Sequence, residues 1–142
     1  MTRIDRRQFV QLASAVGVSA AASSFGSSFA IAQGKGRVVI IGGGAGGASV
    51  AHYLKKNAPQ LEVTLIEVKA KYTTCFFSNL YLGGFRTFDS ITHDYEGLKK
   101  LGVKVVTELA TGVDTDKKQV SLKNGDKLLY DKLVLSPGID FK

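Results

Sequence analysis

The stretch Gly42-x-Gly44-x-x-Gly47 follows directly on the apolar run of residues 37–41 (RVVII), and this junction constrains the 142-residue chain more than any other feature. A short, continuous apolar run is the pattern of a strand buried on both faces, as in a parallel sheet. If a strand turns into a helix here, each glycine has its own task. Gly42 permits the tight turn, Gly44 lets the backbone approach a diphosphate, and Gly47 lets the helix pack closely on the strand. The amides around Ala45 and Gly46 then point, with the positive end of the helix, toward an anion. Two further conditions hold. Residues 45–56 read as a helix with Ala48, Ala51 and Leu54 on one face, and Glu67 closes a second strand, 62–67 (EVTLIE), twenty residues after Gly47. A carboxylate there can accept both hydroxyls of an adenosine ribose and disfavours a 2′-phosphate.

The rest of the chain continues in the same style. Asn57 and Pro59 stop the first helix. Residues 68–87 carry no clear periodicity and are expected to form a long loop, a length usually associated with function or disorder. A second helix is expected over about 90–101, with Tyr95, Leu98 and Leu101 on one face and Gly102 at its end. Residues 103–108 (VKVVTE) read as a strand, and 119–131 as a hairpin, because Asn124–Gly125 supplies the positive φ angles of a tight turn. Residues 132–136 (KLVLS) form a last buried strand running into Pro137–Gly138. Strands alternating with helices make this an α/β protein with a Rossmann-like nucleotide-binding core.

The first thirty residues read differently. Residues 5–10 (DRRQFV) hold a twin-arginine pair, a weakly apolar run rich in Ala, Ser and Gly extends from Val10 to about Phe29, and Ala30 and Ala32 give a small-x-small cleavage pattern. Residues 1–32 are therefore expected to be a twin-arginine (Tat) signal peptide, an address and not an anchor, which implies a periplasmic location. The run is too rich in Ser and Gly for a transmembrane span, and the mature chain is expected to have none. Three of the nineteen basic and one of the twelve acidic residues lie in this leader, which leaves a net charge of +5 for the remainder. That surplus is spread along the chain without a basic stripe or interleaved aromatics, so nucleic acid is not an expected partner, whereas an acidic protein partner is compatible with it. Cys75 is the only cysteine and cannot form an internal disulfide; by its chemistry it is either a small core hydrophobe or a reactive thiol. Two separated histidines, His52 and His93, and one cysteine give no metal-site spacing, and both histidines read as solvated or structural.

Taken together, VVIIGGGAGGASVAHYLKK, EVTLIE, YTTCFFSNLYLGGFR, ATGVDTDKKQV and YDKLVLSPGI resemble the flavoprotein subunit of flavocytochrome c sulfide dehydrogenase across essentially all of residues 36–140. The resemblance implies FAD as the cofactor, with residues 33–142 as the N-terminal part of the FAD-binding domain of a flavoprotein with two dinucleotide-binding domains, here truncated. The segment 130–138 resembles the second FAD motif of such proteins, so Pro137 and Gly138 are expected beside the cofactor. The family joins the cysteine of the Y-x-C-aromatic-x-S-N loop to the 8α-methyl of the flavin, which falls on Cys75. Ser78 and Asn79 are then expected either near the flavin or as turn formers. Gly83, Gly84 and Arg86 match a G-G-x-R stretch, with Arg86 expected at the surface. Ala110 is expected to contact adenine through its backbone.

The activity implied is oxidation of hydrogen sulfide, with electrons passed to a c-type cytochrome subunit that carries the haem, since this sequence has no C-x-x-C-H motif. The family also uses a redox pair of cysteines and a second dinucleotide-binding-like domain, neither of which this sequence contains, so no catalytic residue is expected within it. A sulfide:quinone oxidoreductase-like or other pyridine-nucleotide-disulfide-type flavoenzyme shares the glycine loop, the acid and the C-terminal motif, and a non-catalytic FAD-binding remnant is the third reading.

Overall fold

The computed structural model describes residues 35–139; the signal peptide expected at residues 1–32 lies outside the described residues. In chain order the elements are β1 (Arg37–Ile41), α1 (Ala45–Asn57), β2 (Glu62–Glu67), β3 (Tyr72–Thr73), α2 (Ser78–Leu82), a 3₁₀ turn (Phe88–Ile91), β4 (Thr92–His93), α3 (Glu96–Lys100), β5 (Lys104–Thr107), β6 (Ala110–Asp114), β7 (Gln119–Leu122), β8 (Lys127–Leu129) and β9 (Lys132–Leu135).

Four strands form a parallel sheet in the order β5-β2-β1-β9. The chain moves outward from β1 to β2 and β5, then returns to add β9 on the other side of β1. The C-terminal end of β1 is therefore the point where the strand order reverses, the place where open α/β sheets bind ligands. Alternation along β1 divides the core in two. Val38 and Ile40 face α1 with Ala51, Leu61, Val63, Leu65, Tyr95 and Val103. Val39 faces the other way, packing with Ile66, Val120, Leu122 and Tyr130. That second face is covered by the three-stranded antiparallel sheet β6-β7-β8. Ile40 and Leu65 are wholly buried, a contribution of roughly 1.5–3 kcal/mol for each such side chain.

Helix α1 ends as its sequence suggests. Lys55 Nζ donates to the carbonyls of Pro59 at 2.7 Å and Leu61 at 3.0 Å, so a last-turn cation ties the helix end to the loop that follows. The β7–β8 turn contains Gly125 at φ +92°, and Asn124 and Asp126 bond each other across it.

Three segments differ from the expected elements. The loop of residues 68–87 contains α2, five residues long, which is too short to show a helical period. The helix expected over 90–101 is confined to α3. Thr92 and His93 instead pair with Thr73 and Tyr72 as a two-stranded ladder, reinforced by a 3.1 Å contact between the Thr73 and Thr92 hydroxyls. Asp94 Oδ1 accepts the amide of Glu96 and so fixes where the helix begins. Finally, residues 110–114 form β6, unpredicted because Ala-Thr-Gly-Val-Asp has no clean alternation and Gly112 lacks a side chain; the ladder shifts register there.

Candidate dinucleotide-binding site

The site is the turn between β1 and α1. Gly42 has φ +99°, and a Cβ there would collide with the carbonyl of Ser136 and lie 3.0 Å from Pro137 Cα. The requirement comes from β9, whose exit crosses this turn: the Ser136 amide donates to the Ile41 carbonyl at 2.8 Å, while the Gly42 amide donates to the Ile66 carbonyl at 2.9 Å. Gly47 is buried, and a Cβ on it would overlap the Gly42 carbonyl. Gly46 has Ser136 Oγ within 2.8 Å of where its Cβ would sit. Gly44 caps α1 without a side-chain bond, and the first turn, which includes Ala45, holds no acidic residue. The early N–H groups of a helix have no partners within it, so this thirteen-residue helix offers amides and a positive dipole end with no carboxylate of its own in the first turn.

Glu67 closes the site from the end of β2. Its Oε2 accepts the Gly43 amide at 2.6 Å and its Oε1 accepts the Lys69 amide at 3.2 Å. An ionised carboxylate offers about four lone-pair directions, which leaves two for the hydroxyls of a ribose. On the far side of the turn Tyr95, 5 % exposed, donates its hydroxyl to the Gly43 carbonyl at 3.0 Å. Burial, with the charges of Glu67 and Tyr72 adding to it, pushes this phenol up to about 12, so it stays a donor at any physiological pH. Tyr72 lies near Gly44, its ring 3.5 Å from where a Cβ would stand.

Cys75 is a free, exposed thiol three residues beyond Tyr72, which sets aside the reading of it as a buried core residue. Three residues span at most about 11 Å, so the tyrosine near the glycine turn tethers the thiol to the same end of the sheet. The Thr74 amide donates to the Ile91 carbonyl, and Thr74 Oγ1 accepts the Phe76 amide, so the backbone on both sides of Cys75 is held. Phe76 and Phe77 flank it and are exposed, and Arg86 stacks over the Phe77 ring at 4.6 Å, as a surface arginine. Ser78 and Asn79 open α2 directly after Phe77, which caps that helix at φ +64°. Ala110 begins β6 two residues beyond Glu108, whose amide donates to the Glu67 carbonyl, so it approaches the site from the β5 side.

The structure thus gathers Gly42, Gly44, Ala45, Gly46, Gly47, Glu67 and Pro137 around one turn, while Gly138 is exposed with open space beside it. Sequence reasoning missed Gly43, Ser136 and the contact of Tyr95 with the turn. The second glycine of GGGAGG was the available signal for the last, because the fingerprint leaves position 43 unrestricted. Among the described residues there is no cluster of three or more His, Cys, Asp or Glu side chains able to hold a metal, and no helix is long and apolar enough to cross a membrane.

Fold and site together define the Rossmann-like α/β class found in FAD- and NAD-binding oxidoreductases. The chain belongs to the pyridine nucleotide-disulphide oxidoreductase family, whose model matches residues 36–141. It is 35% identical over 103 residues to the sulfide-quinone reductase of Aquifex aeolicus, covering 71% of this chain and 24% of that protein. It is 58% identical over 43 residues to the flavoprotein chain of the flavocytochrome c sulfide dehydrogenase of Chlorobaculum thiosulfatiphilum, covering 30% of this chain and 90% of that sequence. Among solved structures, the sulfide:quinone oxidoreductase of Aquifex aeolicus superposes with a TM-score of 0.67 at 32% identity, over 72% of this chain and 24% of that one. The chain spans about a quarter of the length of these Aquifex relatives.

Proposed function

We propose that this chain supplies the FAD-binding part of a sulfide-oxidising flavoenzyme of the flavocytochrome c type, exported to the periplasm by the Tat signal in residues 1–32. The observation that carries the reading is the exposed Cys75 thiol, tethered by Tyr72 to the end of the sheet where the glycine turn lies. The glycine turn fits a diphosphate because its crowded backbone leaves amides, and no side chains, at the start of α1. Gly44, Ala45 and Gly46 would hold the diphosphate, Glu67 the ribose, Ala110 the adenine, and Ser78, Asn79, Pro137 and Gly138 the remainder of the cofactor. When bound, a flavin supplies two-electron acceptance from sulfur and one-electron release to a haem.

Sulfide oxidation to the zero-valent level releases two electrons and two protons. A c-type cytochrome subunit is the acceptor in this reading, and the 58% identity to the Chlorobaculum flavoprotein chain supports it. Covalent attachment through Cys75 would form a bond between Sγ and the 8α-methyl carbon. The S–H hydrogen and one methyl hydrogen would be lost as two protons and two electrons, for which the flavin itself would be the acceptor. The thiolate of Cys75 is the nucleophile that such a step needs.

Acid denaturation of the FAD-loaded protein tests this. Yellow colour that precipitates with the polypeptide and is lost in Cys75→Ala is the expected result. Colour that washes free from both overturns covalent attachment. It would favour the second reading, a sulfide:quinone reductase-like enzyme, which the 35% identity over 103 residues to the Aquifex protein supports. Failure of the chain to take up FAD at all would defeat both readings.

A further inference from the structure

Tyr95 stands outside the dinucleotide fingerprint, yet its hydroxyl reaches Gly43, a glycine of the turn that the fingerprint does not require. It donates to the Gly43 carbonyl at 3.0 Å from a buried position, while the Gly43 amide is held by Glu67 at 2.6 Å. Both polar groups of residue 43 are therefore pinned, by side chains from two different segments. The fit also explains the residue type. A Cβ at position 43 would sit 2.5 Å from the Tyr95 hydroxyl oxygen and 2.9 and 3.0 Å from Cζ and Cε1. Those ring atoms belong to a core side chain that packs with Val38, Ile40 and Leu65 and cannot easily move aside.

A trans peptide points its C=O and the following N–H in opposite directions. With the Gly43 carbonyl turned onto Tyr95, the Gly44 amide must face the other way, out of the core. We propose that Tyr95 is a positioning residue for the phosphate-binding turn, its hydroxyl fixing the Gly43–Gly44 peptide plane so that the Gly44 amide is presented to a bound diphosphate. The inference rests on the dinucleotide reading above and assigns that site a residue from outside the βαβ unit. Tyr95 precedes α3 and follows the β3–β4 ladder, which also carries Tyr72, the neighbour of Gly44. The turn thus has two tyrosines beside it, one on the ladder and one two residues beyond it.

The test uses the full chain, titrated calorimetrically with ADP and with FAD, and ³¹P spectra of bound ADP. Tyr95→Phe keeps the ring and removes the hydroxyl. Loss of a bond to a buried carbonyl is expected to weaken both ligands about tenfold and to move the β-phosphate resonance, a change that a ring serving only as core filling would not cause. Gly43→Ala, which displaces the same contact from the other side, is expected to weaken binding as well, and the double variant to bind no worse than Gly43→Ala alone. Wild-type affinity and an unmoved resonance in Tyr95→Phe would overturn the proposal. If circular dichroism shows Tyr95→Phe unfolded, wild-type affinity in Gly43→Ala overturns it instead. A wild-type chain that binds neither ADP nor FAD defeats the dinucleotide reading itself and this role with it, and is told apart because the failure appears before any substitution.

Discussion

The carboxylate of Glu67 accepts the amide hydrogen of Gly43 at 2.6 Å, across twenty-four positions of sequence. The acid that the fingerprint assigns to the ribose is therefore also a strut of the glycine turn. Glu67→Ala removes both roles and is expected to weaken ADP binding by about 10- to 100-fold, as for the loss of a charge-assisted hydrogen bond of about 1.5–3 kcal/mol. Glu67→Gln keeps an acceptor for the Gly43 amide and should lose less. Equal losses in the two variants, measured by calorimetry, would show that the strut is dispensable.

Gly42 and Gly125 both have positive φ, +99° and +92°, but only Gly42 has neighbouring backbone where a side chain would go. Gly125→Ala should cost about 1 kcal/mol, the strain of the backbone alone. Gly42→Ala adds a collision with Ser136 that requires β9 to shift, and should cost about 3 kcal/mol or more. Urea denaturation of the two variants measures the difference, and similar midpoints would mean that the β9 exit yields freely.

Asp131 bonds the Arg37 guanidinium at 3.1 and 3.3 Å and the Arg37 amide at 2.8 Å, tying the start of β9 to the start of β1. The Arg37 side chain, followed by its amide, holds the Asp131 carboxyl down to about 2 from an ordinary 3.8. A group with a depressed folded-state pKa stabilises the fold above its unfolded pKa, and that contribution disappears as pH falls through the folded value. The window is therefore pH 4 down to 2. Asp131→Asn should be less stable than wild type at pH 6 and converge with it near pH 2. The pair is exposed, so the gap should also shrink in high salt.

Cys75 should react in the folded, flavin-free chain with a bulky disulfide reagent such as Ellman's, one equivalent per chain, without denaturant. FAD loading should abolish that reactivity if the thiol is consumed in attachment. A thiol that reacts only after unfolding would contradict its exposed position.

The parallel sheet and its turn were legible because each part has a local cause. Arg37–Ile41 is apolar throughout, the glycines follow at once, and Glu67 ends an apolar run at the right distance. The segment between Val68 and Asp94 was not legible, since its order comes from partners distant in sequence. Thr92 and His93 are strand because Thr73 and Tyr72 lie opposite them, and five residues of α2 cannot display a period of 3.6. Tyr95 was visible as an apolar position facing the sheet, but not as a donor, because nothing at position 95 reports on a carbonyl at position 43. Ser136 was hidden for a like reason. Its crossing of Gly42 depends on β9 lying beside β1, a fact of topology and not of either segment.

The pairing of Tyr72 with His93 closes the base of everything between them. Residues 74–91 thus form an appendage with a fixed shoulder, and most of their surface, including Leu82 and Phe85, is open. Extra residues spliced in near Gly84 would lengthen the limb without moving either tyrosine from its place, so this region can diversify in size while the glycine turn keeps its two tyrosine neighbours.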